Sequence, residues 1–181
     1  DPSGDSAYFR LSTRPVDQSL AQLPTDPLLR ERRRRQVVSG GYRIGDQPAS
    51  QDEITLVGAG AMMTEVCAAA DRLRTLGVRA GVVCVTSPGL LFAALRARSR
   101  VASSTRSGIL DVLFPPEHPT PIVTVMDAHP HTLAFLAGVR GDTLRTLGVT
   151  EFGQGASVSD AYRLHEIDAE SITSAALDLT R

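Results

Sequence analysis

Ile54-Thr55-Leu56-Val57-Gly58, a helix-patterned stretch over residues 61–76, and Ala80-Gly81-Val82-Val83-Cys84-Val85-Thr86 together decide the fold. The first and last are short, nearly continuous apolar runs. They are too uniform for a strand with one wet face and read as strands covered on both sides. Between them Met63, Val66, Cys67 and Ala70 recur at i, i+3, i+4 and i+7, the inward stripe of an amphipathic helix. Gly77 supplies its C-terminal stop. Strand, helix and strand in this order make a βαβ unit, so the two strands pair in parallel around a crossover.

The same alternation continues outward. Residues 90–98 carry a second helical pattern, and 99–108, rich in Ser, Arg and Thr, read as a loose connection. Pro115-Pro116 and Pro119 precede a third strand at 121–127 (PIVTVMD), and 143–149 is a fourth. Ser157, with Asp160 three residues on, opens a helix as a capping pair. Asp168 caps the last helix, whose Ile172, Ala175, Ala176 and Leu179 form its apolar stripe. Residues 36–44 read as an entry strand interrupted by Gly40-Gly41. The expectation is an α/β fold: a three-layer αβα sandwich around a mainly parallel, mixed sheet of about five strands.

Towards the N-terminus the pattern changes. Residues 7–13 (AYFRLST) read as a short strand, and Pro24 and Pro27 are expected to break any helix over 16–30. The run Arg30-Glu31-Arg32-Arg33-Arg34-Arg35 reads as a solvated linker, with no aromatic interleaving to suggest a nucleic-acid patch. A boundary here divides the chain into 1–20, a linker at 21–35, and a domain at 36–181. A strand at 7–13 would have no sheet of its own. It is expected to be displaced, disordered or paired with another copy when separated from a preceding sheet.

Composition closes several function classes. The chain has 181 residues and a net charge of -1, so no global field favours nucleic acid or an anionic membrane. All 19 basic residues are Arg, which reflects GC-rich codon usage and removes lysine Schiff bases and P-loop lysines from consideration. No run approaches the roughly 18 apolar residues of a membrane helix. Cys67 and Cys84 lie in apolar segments without a C-x-x-C pairing, the pattern of reduced, buried thiols in the cytoplasm. The chain opens Asp-Pro-Ser-Gly, with neither a signal peptide nor an initiator Met, and is expected to be an excised or processed segment.

Three motifs compete for a function. Gly58-Ala59-Gly60, between a strand and a helix, imitates the start of a dinucleotide fingerprint. Met63 takes the place of its third glycine, and the next strand ends Val85-Thr86-Ser87 without a ribose-binding carboxylate, so a tight structural turn is the expected reading. Asp127, His129 and His131 follow the third strand and would point one way in an extended backbone, as metal ligands might be arranged. Pro130 disturbs that geometry and a fourth ligand has no obvious source, so no metal is expected. The loop is instead assigned to an interface or to the rim of a site belonging to another domain. Ser87, in Thr86-Ser87-Pro88-Gly89, lacks the G-x-S-x-G elbow of a serine nucleophile.

The stretch Gly148-Val149-Thr150-Glu151-Phe152-Gly153-Gln154-Gly155, followed by Ser157, Tyr162, Leu164-His165 and Ile167-Asp168-Ala169-Glu170-Ser171-Ile172, resembles the closing segment of transketolases and of the single-chain pyruvate dehydrogenase component. Residues 54–60 and 80–87 are similar to that family's first strand–helix–strand unit, and Val85-Thr86-Ser87 most resembles the dehydrogenase branch. Residues 8–13 resemble the last strand of the preceding pyrimidine-binding domain, which makes 1–20 its remnant. The resemblance implies the C-terminal domain of a homodimeric thiamine-diphosphate enzyme. Its cofactor and magnesium would be held by the preceding domains, and its partners would be those domains, a second subunit and an acyltransferase core. The family's Gly-Asp-Gly magnesium motif does not occur here: Gly45-Asp46 is followed by Gln47 and Gly141-Asp142 by Thr143. No catalytic, cofactor-binding or metal residue is therefore carried over. The expected role is support of the dimer and of the active-site entrance, around Asp127, His129 and His131, in an enzyme that decarboxylates a 2-oxoacid such as pyruvate. A transketolase domain is the nearest alternative, and a free-standing interaction module is a rival from another class.

Overall fold

The computed structural model describes residues 15–45, 47–98, 108–153 and 155–181. The expected strand at 7–13 lies outside them. Five strands form one sheet among the described residues: β1 (Gly41–Ile44), β2 (Ile54–Ala59), β3 (Ala80–Val85), β4 (Ile122–Val125) and β5 (Leu144–Leu147), in the order β1-β3-β2-β4-β5. β1 is antiparallel to β3, with Tyr42 opposite Cys84, and every other pairing is parallel. The mixed, mainly parallel sheet expected from the sequence is therefore present.

The order explains the layers. Helix α2 (Met63–Thr75) carries the chain from β2 to β3, whereas α3 (Pro88–Arg98) and α4 (Ile109–Leu113) carry it back past β2 to β4. Crossovers of one hand that move in opposite directions must lie on opposite faces. Accordingly Ile54, Leu56, Val123 and Val125 pack with Val66, Ala69, Ala70 and Leu73 of α2 and with Ile172, Ala175 and Ala176 of α7 (Ala169–Leu179). Val57, Val83, Val85 and Ile122 pack on the other side with Leu91, Leu110 and Leu113. Alternate residues of each strand thus serve two cores, as period-2 geometry requires.

Gly58 sets the distance between the central strand and its helix. A Cβ there would lie 2.8 Å from Val66 Cγ2 and 3.1 Å from Met63 Sδ, so α2 sits closer to β2 than any other residue would allow. Met63 fills the space that a dinucleotide fingerprint reserves for its third glycine. Gly60 makes the turn at φ +57, and Gly77 ends α2 at φ +83. The Gly58-Ala59-Gly60 segment thus brings α2 close to β2 and turns the chain into it.

Two expectations fail near the N-terminus. Pro27 starts a helix rather than breaking one: α1 runs Pro27–Val38, with Asp26 Oδ1 accepting from the amides of Leu28 and Leu29. Proline at the first helical position lacks only an N–H that would have had no partner. The arginine run within the supposed linker is therefore helical, and one member turns inward. Arg33 is buried, its guanidinium stacks 4.7 Å from the Tyr42 ring centroid, and Nη1 donates to Ala21 O at 3.1 Å. Helix α1 also consumes residues 36–38 of the expected entry strand, and Gly40 at φ +119 turns the chain into β1.

The amino-terminal ends of the strands are tied by ion pairs. Arg43 pairs with Asp52 and donates to Leu113 O at 2.9 Å. Arg140 pairs with Asp142 and donates to the carbonyls of Pro115 (2.9 Å), His118 (3.1 Å) and Thr120 (3.2 Å). One guanidinium thus gathers the proline-rich approach to β4 and the approach to β5. In the middle of β4, Thr124 is fully buried and its hydroxyl has no hydrogen-bond partner among the described residues. Replacing it by the isosteric valine is expected to stabilise the domain by about 1 kcal/mol. Urea unfolding of T124V would check this, and a loss of stability would show that the hydroxyl is satisfied.

Candidate functional site

Ligand sites in open α/β sheets form beyond the carboxyl ends of strands whose connections diverge. Here β2 leads towards β3 and β4 leads towards β5, so the crevice lies between Ala59-Gly60 and the segment after Val125. That segment holds Asp127, His129 and His131. Its path is fixed from the β5 side, where Met126 N donates to Leu147 O at 3.1 Å and Val149 N donates to Ala128 O at 3.0 Å. Gly148 permits the approach, since a Cβ there would fall 2.6 Å from Ala128 O and 2.9 Å from Pro130 N.

Pro130 then turns the chain into α5 (His131–Ala134), with Thr132 N donating to His129 O at 3.1 Å. The extended backbone that would have aligned Asp127, His129 and His131 is therefore replaced by a helical turn. His129 and His131 nevertheless meet, with ring centroids 4.4 Å apart and Nδ1 atoms 2.5 Å apart. His131 N also donates to His129 Nδ1 at 3.3 Å, which makes that nitrogen the acceptor and His131 Nδ1 the donor. Both rings and Asp127 are exposed. Among the described residues no three His, Cys, Asp or Glu side chains converge as a metal-binding group.

The other sequence candidates are occupied structurally. Ser87 Oγ accepts from Leu90 N at 3.3 Å at the start of α3, and Thr86 Oγ1 donates to Val37 O at 2.6 Å. Cys67 and Cys84 are free and half-buried, less enclosed than their apolar segments suggest. Burial, together with the charge of Asp71 and the nearby Cys84, pushes the Cys67 thiol up to about 11. Burial raises Cys84 too, partly offset by its hydrogen bond from Tyr42 and by Arg33, and burial raises the Tyr42 hydroxyl. These groups hold their protons in the fold while an unfolded chain releases them earlier. Their stabilisation is therefore complete below about pH 9 and is lost as pH rises through the folded values. At pH 7.5 Cys67 is expected to react with a soluble disulfide reagent at least tenfold more slowly than in urea, because the thiolate is the nucleophile, and Cys84 is expected to be slowed in the same direction. Equal rates would contradict this.

Sequence reasoning missed the two arginine anchors and the helical turns at Ile109–Leu113 and His131–Ala134. The second had a signal: Leu133 and Leu136 recur at a spacing of three and both are buried, as is Val139.

A family model described as "Transketolase-like TK C-terminal domain" matches residues 40–168, well over half of the chain. The chain belongs to the transketolase C-terminal domain family. Solved structures agree with this at the level of fold. Transketolase from Leishmania mexicana superposes with a TM-score of 0.60 at 20% identity over 81% of this chain. Transketolase from Campylobacter jejuni gives 0.58 at 15% identity over 77%. The chain spans only 18% of each of those proteins. A split-gene transketolase, described as an inactive β4 tetramer, gives a TM-score of 0.52 at 19% identity over 79% of this chain and 44% of its own. No match was found among the curated proteins compared. No helix among the described residues of this transketolase C-terminal domain is long and apolar enough to cross a membrane.

Proposed function

We propose that this transketolase C-terminal domain is the non-catalytic closing domain of a homodimeric thiamine-diphosphate enzyme that transfers two-carbon units. In this reading residues 1–20 complete the preceding pyrimidine-binding domain, 21–35 connect the two, and 36–181 support the dimer and the rim of the active site. The cofactor and magnesium are held by the preceding domains. The observation that carries this is the division of labour between the two ends of the sheet. The buried charges, Arg43 with Asp52 and Arg140 with Asp142, hold the amino-terminal ends together. The carboxyl-end loops present exposed polar groups, Asp127, His129 and His131, that support a neighbouring domain's site better than a site of their own.

Two substrates fit a two-carbon transfer. The Val85-Thr86-Ser87 strand end supports pyruvate, with the acyl unit passed to an acyltransferase core. The solved relatives support a sugar phosphate, since a transketolase from Pichia stipitis is described in complex with sedoheptulose 7-phosphate. The complete enzyme, loaded with thiamine diphosphate and magnesium, separates them. Ferricyanide reduction with pyruvate assigns the dehydrogenase branch, and transfer from xylulose 5-phosphate to ribose 5-phosphate assigns transketolase. Activity with neither substrate would overturn the two-carbon reading.

A further inference from the structure

Helix α1 concentrates positive charge that its own acid does not balance. Five of its 12 residues are Arg and one is Glu. Glu31 serves Arg34 at 3.9 Å and Arg35 at 3.2 Å, whereas Arg32 and Arg33 have no carboxylate partner among the described residues. For an exposed side chain such as Arg32 that is ordinary. Arg33 is different. It is 7% exposed, and its guanidinium meets the Tyr42 ring and the Ala21 carbonyl. Neither supplies a counter-charge, and a cation enclosed by the fold without one is costly unless an anion reaches it from outside.

The way in is open. A recess of about 440 Å³ lies between α1 and the segment after β1, and both Arg32 and Arg33 line it. That volume falls within the roughly 300–1,000 Å³ of small-molecule sites. Pro24, Leu29 and Val112 give the recess an apolar wall, and no carboxylate lines it among the described residues. Gln36, one turn beyond Arg32, adds a side-chain amide with no hydrogen-bond partner among the described residues. Arg43 lines the recess too, but it is committed to Asp52. Because β1 runs antiparallel to β3, the segment after Ile44 lies at the amino-terminal ends of the parallel strands, the end opposite the Asp127 loop. Two uncompensated guanidiniums beside an apolar wall match a dianion carried on an apolar or planar body, and arginine forks pair with phosphate oxygens two at a time. We propose that this recess binds a small phosphomonoester, its phosphate held by Arg32 and Arg33 and its body against Leu29 and Val112. This goes beyond the proposed function and does not depend on it.

Calorimetric titration of the 181-residue chain with adenosine 5′-monophosphate and with phenyl phosphate, at low ionic strength, tests this. At least one of the two is expected to saturate a single site. Its Kd is expected to be at least about tenfold below those of inorganic phosphate, adenosine and phenol, which each lack half of the match. Arg32→Gln is expected to weaken that binding at least about tenfold without moving the urea midpoint, since Arg32 is exposed and removal of a charge-assisted fork removes its strongest contact. Arg34→Gln, on the same helix but outside the recess, is expected to leave the affinity unchanged. Binding of neither probe overturns the proposal. So does an equal loss in the two variants, because the attraction then belongs to the charge of the helix at large. Inorganic phosphate that binds as tightly as either probe overturns it as well, because the apolar wall then recognises nothing.

Discussion

Arg140→Ala is expected to lower the unfolding free energy by about 3–5 kcal/mol, the cost of removing one member of a buried ion pair. The side chains of Arg140 and Asp142 are only 6% and 7% exposed, so the abandoned carboxylate gains little from water. Three backbone carbonyls, those of Pro115, His118 and Thr120, lose their donor in the same step. These sit in the segment that delivers the chain into β4, so the damage propagates to the central sheet. Arg140→Lys keeps the charge but not the planar fork, and is expected to recover less than half of the loss. Urea unfolding monitored by far-UV dichroism measures both variants. A loss below about 1 kcal/mol for Arg140→Ala would mean that the network is solvated and stabilises little.

Gly81→Ala should cost about 3 kcal/mol, for a reason that one methyl group seldom supplies. Gly81 is buried in β3, and a Cβ there would lie 2.7 Å from Asp52 Cγ and closer still to the Asp52 carboxylate and the Arg43 guanidinium. The ion pair occupies the place of the missing side chain. Burial already pushes the Asp52 carboxyl above the ordinary carboxylate range, with Arg43 pulling it back. Separating the two therefore strands a charge that is costly to keep inside. The diagnostic is non-additivity. With Asp52 already replaced by alanine, the space is free and Gly81→Ala is expected to cost less than about 1 kcal/mol, a coupling typical of residues in direct contact. Additive losses would show that the glycine is needed for its backbone and not for the pair.

These two sites mark where the sequence is legible and where it is not. The βαβ unit at 54–86 is readable because its apolar periods are local, and the caps at Ser157 and Asp168 are readable because their partners are three residues away. Arg43 with Asp52 and Arg140 with Pro115 join segments whose proximity only the folded sheet creates. Gly81 looks like an ordinary weak point in a strand until the pair above it is seen. Pro27 illustrates the opposite error. Proline in the middle of a polar stretch reads as a helix breaker, whereas Asp26 beside it supplies the cap that makes it a helix start. The Asp127-His129-His131 loop is legible in the sequence as a polar loop at a strand end. Its geometry is not, because Gly148 and the α5 turn set the backbone path from outside the motif.

As proposed, this domain completes a thiamine-diphosphate enzyme without holding the cofactor. Calorimetric titration of thiamine diphosphate with magnesium, into the complete enzyme and into this 181-residue chain, tests that most directly. Saturable binding to the complete enzyme and none to the chain is the predicted result. Saturable binding to the chain itself, or none to the complete enzyme, would contradict it.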